Sequence, residues 1–150
     1  RSCLNGILEQ DSDSLIEKFE DFKVVTKKSP NSSMFDDLAI ASIVTKHLKS
    51  NCIAIVKDKQ LIGSGMGQVS RIDALNQAIE KSKKFGFDLK GSCLSSDAFF
   101  PFSDCVEISH ANNIRSIVQP GGSIKDQDSI DFCNKNDMSM VFSGIRHFRH

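Results

Sequence analysis

The stretch CIAIVKDKQLIGSGMGQVSRIDALNQAIEKSKKF, residues 52–85, decides the fold class. Its two apolar runs, 52–56 and 61–62, are separated by a short polar segment, which predicts two strands joined in a hairpin. A glycine-rich stretch follows, and Ser70 then has the position of an N-cap for a helix that continues through Phe85. Strands that lead into a helix in this way indicate an α/β fold.

The same alternation continues on both sides of this stretch. Further strands are predicted at 22–26, 92–94, 116–118 and 138–142, and further helices at 33–49, 104–111 and 124–134. The first of these helices would begin at an N-cap Ser33, with Asp36 three residues on. Because one hairpin interrupts strands that are otherwise separated by helices, the prediction is an α/β domain with a mixed sheet.

Length and composition describe one ordinary globular domain. The 150 residues are 39% hydrophobic and 25% charged, and 19 basic residues balance 19 acidic ones. A chain without net charge has no general attraction for nucleic acid or an anionic membrane, so neither partner is expected. The longest apolar run, 38–44, is too short to span a bilayer. The chain starts at Arg1 rather than at a methionine, and we therefore expect a fragment of a longer protein.

The five cysteines are widely spaced, and no two of them form a Cys-x-x-Cys pair. This spacing argues against a zinc ribbon and against a dithiol redox site. The expected state is reduced thiols in a cytoplasmic protein.

The segment Ser-Ser-Asp-Ala-Phe-Phe-Pro-Phe, residues 95–102, holds three of the eleven phenylalanines. Pro101 disfavours helix at the residue before it, so Phe100 is expected to be extended and the three rings cannot share one helical face. Composition alone favours a core strand that runs into a turn. The alternative is a pocket wall, since flat apolar faces beside a carboxylate suit a planar heterocycle.

Two glycine turns and the basic end of the chain each leave two interpretations open. The run Gly63-Ser-Gly-Met-Gly-Gln-Val-Ser-Arg71 is neither a dinucleotide fingerprint nor a P-loop, and it fits a plain turn and an anion-binding loop equally well. In Pro120-Gly-Gly-Ser123, the serine is expected to be a helix N-cap, although turns of this kind gather where α/β sheets bind ligands. For Arg146-His-Phe-Arg-His150, a frayed tail is favoured over a phosphate-binding segment.

Candidate catalytic groups are few. The zinc-deaminase signature is absent, because Pro101 is not followed by Cys-x-x-Cys. His47 lies on a predicted helix and is interpreted as surface rather than as a base. The chain is therefore better equipped to bind than to react.

Taken together and in order, these motifs resemble one family. Lys-Ser-Asn51, Gly-x-Gly-x-Gly-Gln-x-Ser-Arg71, residues 95–102, Gln-Pro-Gly-Gly-Ser123 and the Arg-His-Phe-Arg-His ending are similar to the C-terminal part of aminoimidazole-carboxamide ribonucleotide (AICAR) formyltransferase/IMP cyclohydrolase, a bifunctional enzyme of purine biosynthesis. The resemblance implies the second of two cytidine-deaminase-like units, a three-layer domain without zinc. It also implies formyl transfer from 10-formyltetrahydrofolate to AICAR, and a homodimer.

The resemblance assigns roles residue by residue. On the nucleotide side it implies Asn51, Arg71, Phe99, Arg146, Phe148 and His150. On the folate side it implies Ile72, Phe99, Asp104, Ser123 and Ile124. It further implies a monovalent cation such as potassium near Asp97, and Cys105 stands where some relatives have a polar amide.

No catalytic residue is expected in this chain, because the family's catalytic Lys-His pair belongs to the first unit. The adjacent Lys46 and His47 are interpreted as a coincidence. A non-catalytic fragment that binds ligand or forms dimers is the alternative function.

Overall fold

The computed structural model describes residues 2–3, 5–7 and 9–149. Within these residues the strands are β1 (Ser2–Cys3), β2 (Gly6–Ile7), β3 (Lys23–Val24), β4 (Ile53–Lys57), β5 (Gln60–Gly65), β6 (Cys93–Ser96), β7 (Ser116–Gln119) and β8 (Ser139–Phe142). The helices are α1 (Ser32–His47), α2 (Arg71–Lys84), α3 (Asp104–Ala111) and α4 (Asp126–Lys135), with a 3₁₀ turn at Phe19–Asp21.

Six of the strands form one mixed sheet in the order β3-β8-β7-β6-β4-β5. The central strands β6, β7 and β8 run parallel, whereas β4 pairs antiparallel with both β5 and β6, and β3 pairs antiparallel with β8. The predicted α/β class with a mixed sheet is confirmed. β1 and β2 form a separate antiparallel pair.

Helices cover both faces of the sheet, as the predicted three-layer architecture requires. Along β6, Cys93 packs on the side of α1 while the next residue, Leu94, packs on the side of the larger core. The same alternation holds at Ile117 and Val118 in β7, because successive strand residues point to opposite faces. Helices α2, α3 and α4 contribute to the larger core, and α1 packs against the smaller one.

The hairpin between β4 and β5 turns at the predicted place. Asp58 and Lys59 have positive φ angles of 51° and 64°, which a tight two-residue hairpin turn requires. The buried Asp37 carboxylate of α1 accepts hydrogen bonds from both backbone N–H groups, at 3.0 and 2.7 Å. A side chain 21 residues upstream thus holds the turn against α1.

The glycine-rich stretch is mostly strand. β5 continues to Gly65, three residues beyond the predicted strand end, and Gly63 and Gly65 both face α2. A Cβ at either position would overlap backbone atoms of Ala78 or Ala74. These two glycines therefore allow the helix to approach the sheet, and only the end of the stretch at Gly67 lies in a loop, with φ 67°.

Two predicted N-caps are wrong. α1 begins at Ser32, one residue earlier than expected, because the Asn31 side chain rather than that of Ser33 accepts from Met34 N at 2.9 Å. α4 begins at Asp126, and Ser123 is not its N-cap. The prediction that Ser70 caps α2 is confirmed, with Asp73 N donating to Ser70 Oγ at 3.1 Å.

None of the helices in the described part of the chain is both long enough and apolar enough to cross a membrane.

Candidate substrate-binding site

Three loops meet at the carboxyl ends of the parallel strands. The Phe segment follows β6, the Pro-Gly-Gly turn follows β7 and the C-terminal segment follows β8. Because these three strands are parallel, the three loops leave the same edge of the sheet, the edge at which α/β sheets commonly bind ligands.

Arg71, the first residue of α2, connects the glycine loop to the Phe segment. Its Nη1 donates to the Phe99 backbone oxygen at 3.2 Å, and its Nη2 lies 3.0 Å from both Asn51 Oδ1 and Asp97 Oδ1. The Arg71 side chain is 10% exposed and that of Asp97 is fully buried. A cation at a helix N-terminus needs a compensating anion, and in this structure that anion is Asp97.

Asn51 is held from both sides. Its Oδ1 accepts from Arg71, while its Nδ2 donates to the backbone oxygens of Gln68 and Val69 at 3.0 and 3.4 Å. Backbone hydrogen bonds between Asn51 and Gln68 add to this connection. Asn51 and Arg71, for which the family resemblance implies one ligand, are therefore neighbours in one network.

The network leaves two buried polar atoms without a hydrogen-bond partner among the described residues, namely Asp97 Oδ2 and Arg71 Nε. No group of three or more His, Cys, Asp or Glu side chains in residues 2–3, 5–7 and 9–149 is arranged to hold a metal ion. Because Arg71 already balances its charge, Asp97 offers a cation one carboxylate oxygen. The monovalent cation near this residue stays a prediction.

The three rings of the Phe segment diverge, as predicted. Phe100 is fully buried in the larger core, Phe99 is half-buried and Phe102 is exposed. The buried strand of the preferred interpretation is present but ends at Ser96, before the three rings, and of these rings only that of Phe100 lies in the core. Phe99 is presented at the site instead.

The C-terminal segment is not a frayed tail, so that expectation is wrong. Its backbone pairs with the rest of the site: His147 N donates to Asp97 O at 3.0 Å, Ser50 N donates to Arg149 O at 2.8 Å, and Arg149 N donates to Ser50 Oγ at 2.8 Å. The exposed Arg146 guanidinium lies 4.0 Å from the centre of the Phe148 ring and 6.0 Å from that of Phe99. His150 lies outside the described residues.

His147 anchors this segment, and sequence reasoning missed that role. The imidazole is 3% exposed, with Nδ1 at 2.6 Å from Asp13 Oδ2 and Nε2 at 2.8 Å from Glu17 Oε1. Burial alone would lower the pKa of His147, but the hydrogen bonds to Glu17 and Asp13 outweigh burial and raise it. Burial would likewise raise the pKa of Glu17, which the hydrogen bond to His147 instead holds below its ordinary value.

An open, mainly apolar cleft of about 440 Å³ lies beside Phe99 and is lined by Phe99, Pro101, Gly122, Ser123, Ile124 and Lys125. Three of the five folate-side residues line it: Phe99, Ser123 and Ile124, the last fully exposed. The other two do not. Ile72 packs against the larger core, and Asp104 Oδ1 accepts from Cys105 N at 2.7 Å at the start of α3.

Cys105 and the Lys46-His47 pair both lie away from this cleft. The Cys105 side chain is buried in the larger core, and burial raises the pKa of its thiol to about 12. His47 is exposed on α1, as predicted, and lines a separate depression together with Lys46, Phe148 and Arg149. Neither Lys46 nor His47 faces the cleft beside Phe99.

Comparison with known proteins assigns the family. The AICARFT/IMPCHase bienzyme model matches residues 1–81, more than half of the 150 residues. The chain belongs to the AICARFT/IMPCHase bienzyme family. Its relatives include the bifunctional purine biosynthesis protein PurH of Bacteroides thetaiotaomicron, 53% identical over all 150 residues, and that of Aquifex aeolicus, 48% identical over 145 residues, 97% of this chain.

The chain spans only 30% and 28% of the length of these two relatives. Among solved structures, a diaminohydroxyphosphoribosylaminopyrimidine deaminase/5-amino-6-(5-phosphoribosylamino)uracil reductase from Thermotoga maritima matches 75% of this chain and 35% of its own, with 18% identity and a TM-score of 0.48. The dCMP deaminase of cyanophage S-TIM5 matches 69% of this chain and 91% of its own, with 14% identity and a TM-score of 0.49. Both scores are low, and the fold class therefore rests on the sheet topology described above.

Proposed function

We propose that this chain is the substrate-binding part of an AICAR formyltransferase, which transfers the formyl group of 10-formyltetrahydrofolate to AICAR in purine biosynthesis. The observation that carries this proposal is the position of Phe99. Its backbone oxygen accepts from Arg71 in the polar network of Arg71, Asn51 and Asp97, and the same residue lines the apolar cleft.

The polar side suits the nucleotide. The exposed Arg146 guanidinium is oriented by two rings and suits the phosphate, because a fixed planar cation binds such oxygens in bidentate fashion. Arg71 is already neutralised by Asp97, so its role is to fix Asn51 and the Phe99 backbone beside the carboxamide. Phe148 and His150 complete this side in the proposal.

The apolar cleft suits a flat ring, and the pterin of the folate would pack against Phe99 and Ile124 there. Ser123 supplies a polar edge to the same cleft, whereas Asp104 and Ile72 would meet the folate only at its periphery. A ligand on each side of one ring brings an amine and a formyl donor together, and such positioning alone contributes several kcal/mol to catalysis.

Formyl transfer also needs a general base for the attacking amine and a donor to the developing oxyanion. In the described site, Asp97 is paired with Arg71 and His147 is paired with two carboxylates, so neither is placed for that work. The proposal therefore assigns binding and orientation to this chain, with homodimer formation and a cytoplasmic location as further predictions.

The test is a formyl-transfer assay on the 150-residue chain alone and after addition of the upstream half of the formyltransferase domain. We expect no turnover from the chain alone and turnover from the mixture. Turnover by the chain alone would refute the assignment of catalysis to residues outside it. Absence of activity in the mixture, together with dimer formation and ligand binding, would favour the non-catalytic module instead.

A matched pair of variants tests the role of Phe99. Phe99→Leu removes the shared ring, while Phe102→Leu removes an exposed ring of the same segment. The first is expected to weaken binding of both AICAR and the folate about tenfold or more, and the second to leave both unchanged.

A further inference from the structure

Gln119, the last residue of β7, is a fully buried amide behind the site. Its Oε1 accepts a hydrogen bond from Phe100 N at 2.9 Å, and its Nε2 lies 3.4 Å from Asp126 Oδ1. A buried amide at the end of a fully buried strand needs such partners, because an unpaired polar group in this place is costly.

Asp126 carries the connection onward to the Pro-Gly-Gly turn. Its Oδ2 accepts from Gly122 N at 2.7 Å and from Ser123 N at 3.0 Å. Its other oxygen faces Gln119, so one carboxylate connects the turn to the buried amide.

These hydrogen bonds join the two walls of the apolar cleft. One wall is the Phe segment, whose backbone is fixed at Phe100 by Gln119 Oε1. The other wall is Gly122 to Lys125, which is fixed through Asp126. The Gln119 side chain hydrogen-bonds to the Phe segment at the Phe100 backbone. It also hydrogen-bonds to the Asp126 carboxylate, which holds the Gly122–Lys125 wall.

The geometry points to Gln119 as a positioning residue that sets the width of the cleft, and thereby the affinity for the flat ring bound in it. This inference rests on the proposed function, since the ring is identified there as that of the folate. The nucleotide side is held by Arg71 and Arg146 through other contacts, so Gln119 should affect one substrate much more than the other.

The experiment compares Gln119→Met and Gln119→Glu in the full-length protein. Methionine keeps the length of the side chain but removes both hydrogen bonds, so the KM for 10-formyltetrahydrofolate should rise about tenfold. The KM for AICAR and kcat should each stay within about twofold. Gln127→Met, which changes an exposed glutamine of α4, is the matched control and should change none of the three.

Gln119→Glu adds a pH signature that a merely structural role would not give. Asp126 is the titratable group in contact with the amide, whereas the other contacts, Phe100 N and Met140 Sδ, are uncharged. A protonated glutamic acid can still donate to Asp126, but an ionised one faces a like charge. The folate KM of this variant, relative to wild type, should therefore increase as pH is raised, while that of Gln119→Met should not.

Three results would overturn the inference: equal rises in both KM values, unchanged folate KM in a folded Gln119→Met protein, or no pH effect in Gln119→Glu. If Gln119→Met does not fold, Asp126→Asn tests the same hydrogen bond at its other residue, the half-buried Asp126, and should also raise the folate KM selectively. Failure of the proposed function is a different outcome, in which the wild-type protein binds no folate.

Discussion

At the scale of single residues, the site depends on charges that are buried and paired. Asp97 and Arg71 lie together 3.0 Å apart, with side chains 0% and 10% exposed. Such a pair contributes little net stability as a pair, but removal of one member leaves an uncompensated charge in the interior. This asymmetry gives the first prediction.

Asp97→Asn should lower the free energy of unfolding by about 3 to 5 kcal/mol, because Arg71 then stays buried and unpaired. Urea denaturation monitored by circular dichroism measures the change. Asp137→Asn is the matched control, since Asp137 pairs with Lys28 at the surface and a change within about 0.5 kcal/mol is expected there. A cost for Asp97→Asn as small as that of the control would contradict the buried-pair interpretation.

The interaction of His147 with Glu17 should make the stability of the protein depend on pH. The pKa of His147 is raised above its ordinary value of 6.5. The imidazole therefore stabilises the folded protein fully below pH 6.5, and this stabilisation is lost as pH rises through the folded-state pKa. The lowered pKa of Glu17 means that its contribution is complete above 4.5 and is lost as pH falls through its folded-state pKa. The interaction therefore stabilises most between these two ordinary values.

His147→Gln should cost about 3 kcal/mol near pH 6, and its difference from wild type should shrink as pH increases above 6.5. Thermal melts over a pH series measure this difference. His47→Gln removes an exposed imidazole and should follow the wild-type curve throughout. A His147→Gln difference that is constant with pH would show that the imidazole is not charged in the folded protein.

The sequence pointed to some of these residues and not to others, and the reason is physical. Phe99 and Arg146 stand in short motifs whose composition is unusual, so they could be found locally. The partners of His147 could not, because Asp13 and Glu17 lie 134 and 130 residues away in an acidic stretch without distinctive features. Gln119 was part of a recognised motif, but its role depends on a contact with α4 that no spacing reveals.

At the scale of elements, helices were easier to predict than strand ends and caps. α3 has its predicted bounds, and α2 agrees within one residue because its apolar periodicity and its N-cap Ser70 indicate the same start. β5 was predicted too short because Gly63 and Gly65 suggested a loop, whereas both accommodate α2 in the tertiary structure.

Gly65→Ala tests this close approach of β5 and α2. The new Cβ would overlap the Ala74 carbonyl, so the helix must shift and the free energy of unfolding should fall by about 2 kcal/mol or more. Gly6→Ala, where the space around the Cβ is open, should change stability by less than about 0.5 kcal/mol. Chemical denaturation of the two variants side by side would reject the packing role if both behaved alike.

At the scale of the whole molecule, alternating strands and helices were enough to predict a mixed α/β sheet, but not the order of its strands. The pairing of β3 with β8 joins residues from opposite ends of the chain, and no local pattern encodes it. Among the described residues, four free thiols are buried, those of Cys52, Cys93, Cys105 and Cys133.

The reactivity of these four thiols should measure unfolding of the whole domain. Burial raises the pKa of all four, to about 12 for Cys105 and Cys133, so a reactive thiolate forms only when the core is exposed. In a Cys3→Ser protein, reaction with a chromogenic disulfide should be slow and should accelerate with denaturant in parallel with unfolding. Rapid labelling of all four under native conditions would contradict the two-sided core.

The anchoring of His147 by Asp13 and Glu17 also has a consequence for the time course of folding. Contacts that span 130 and 134 residues form only after the chain has closed a very large loop, and the entropy of that closure delays them. Arg146 and Phe148, which flank the anchor, therefore reach Phe99 late. The central strands of the sheet, which pair over shorter separations, can therefore assemble while the binding site is still incomplete.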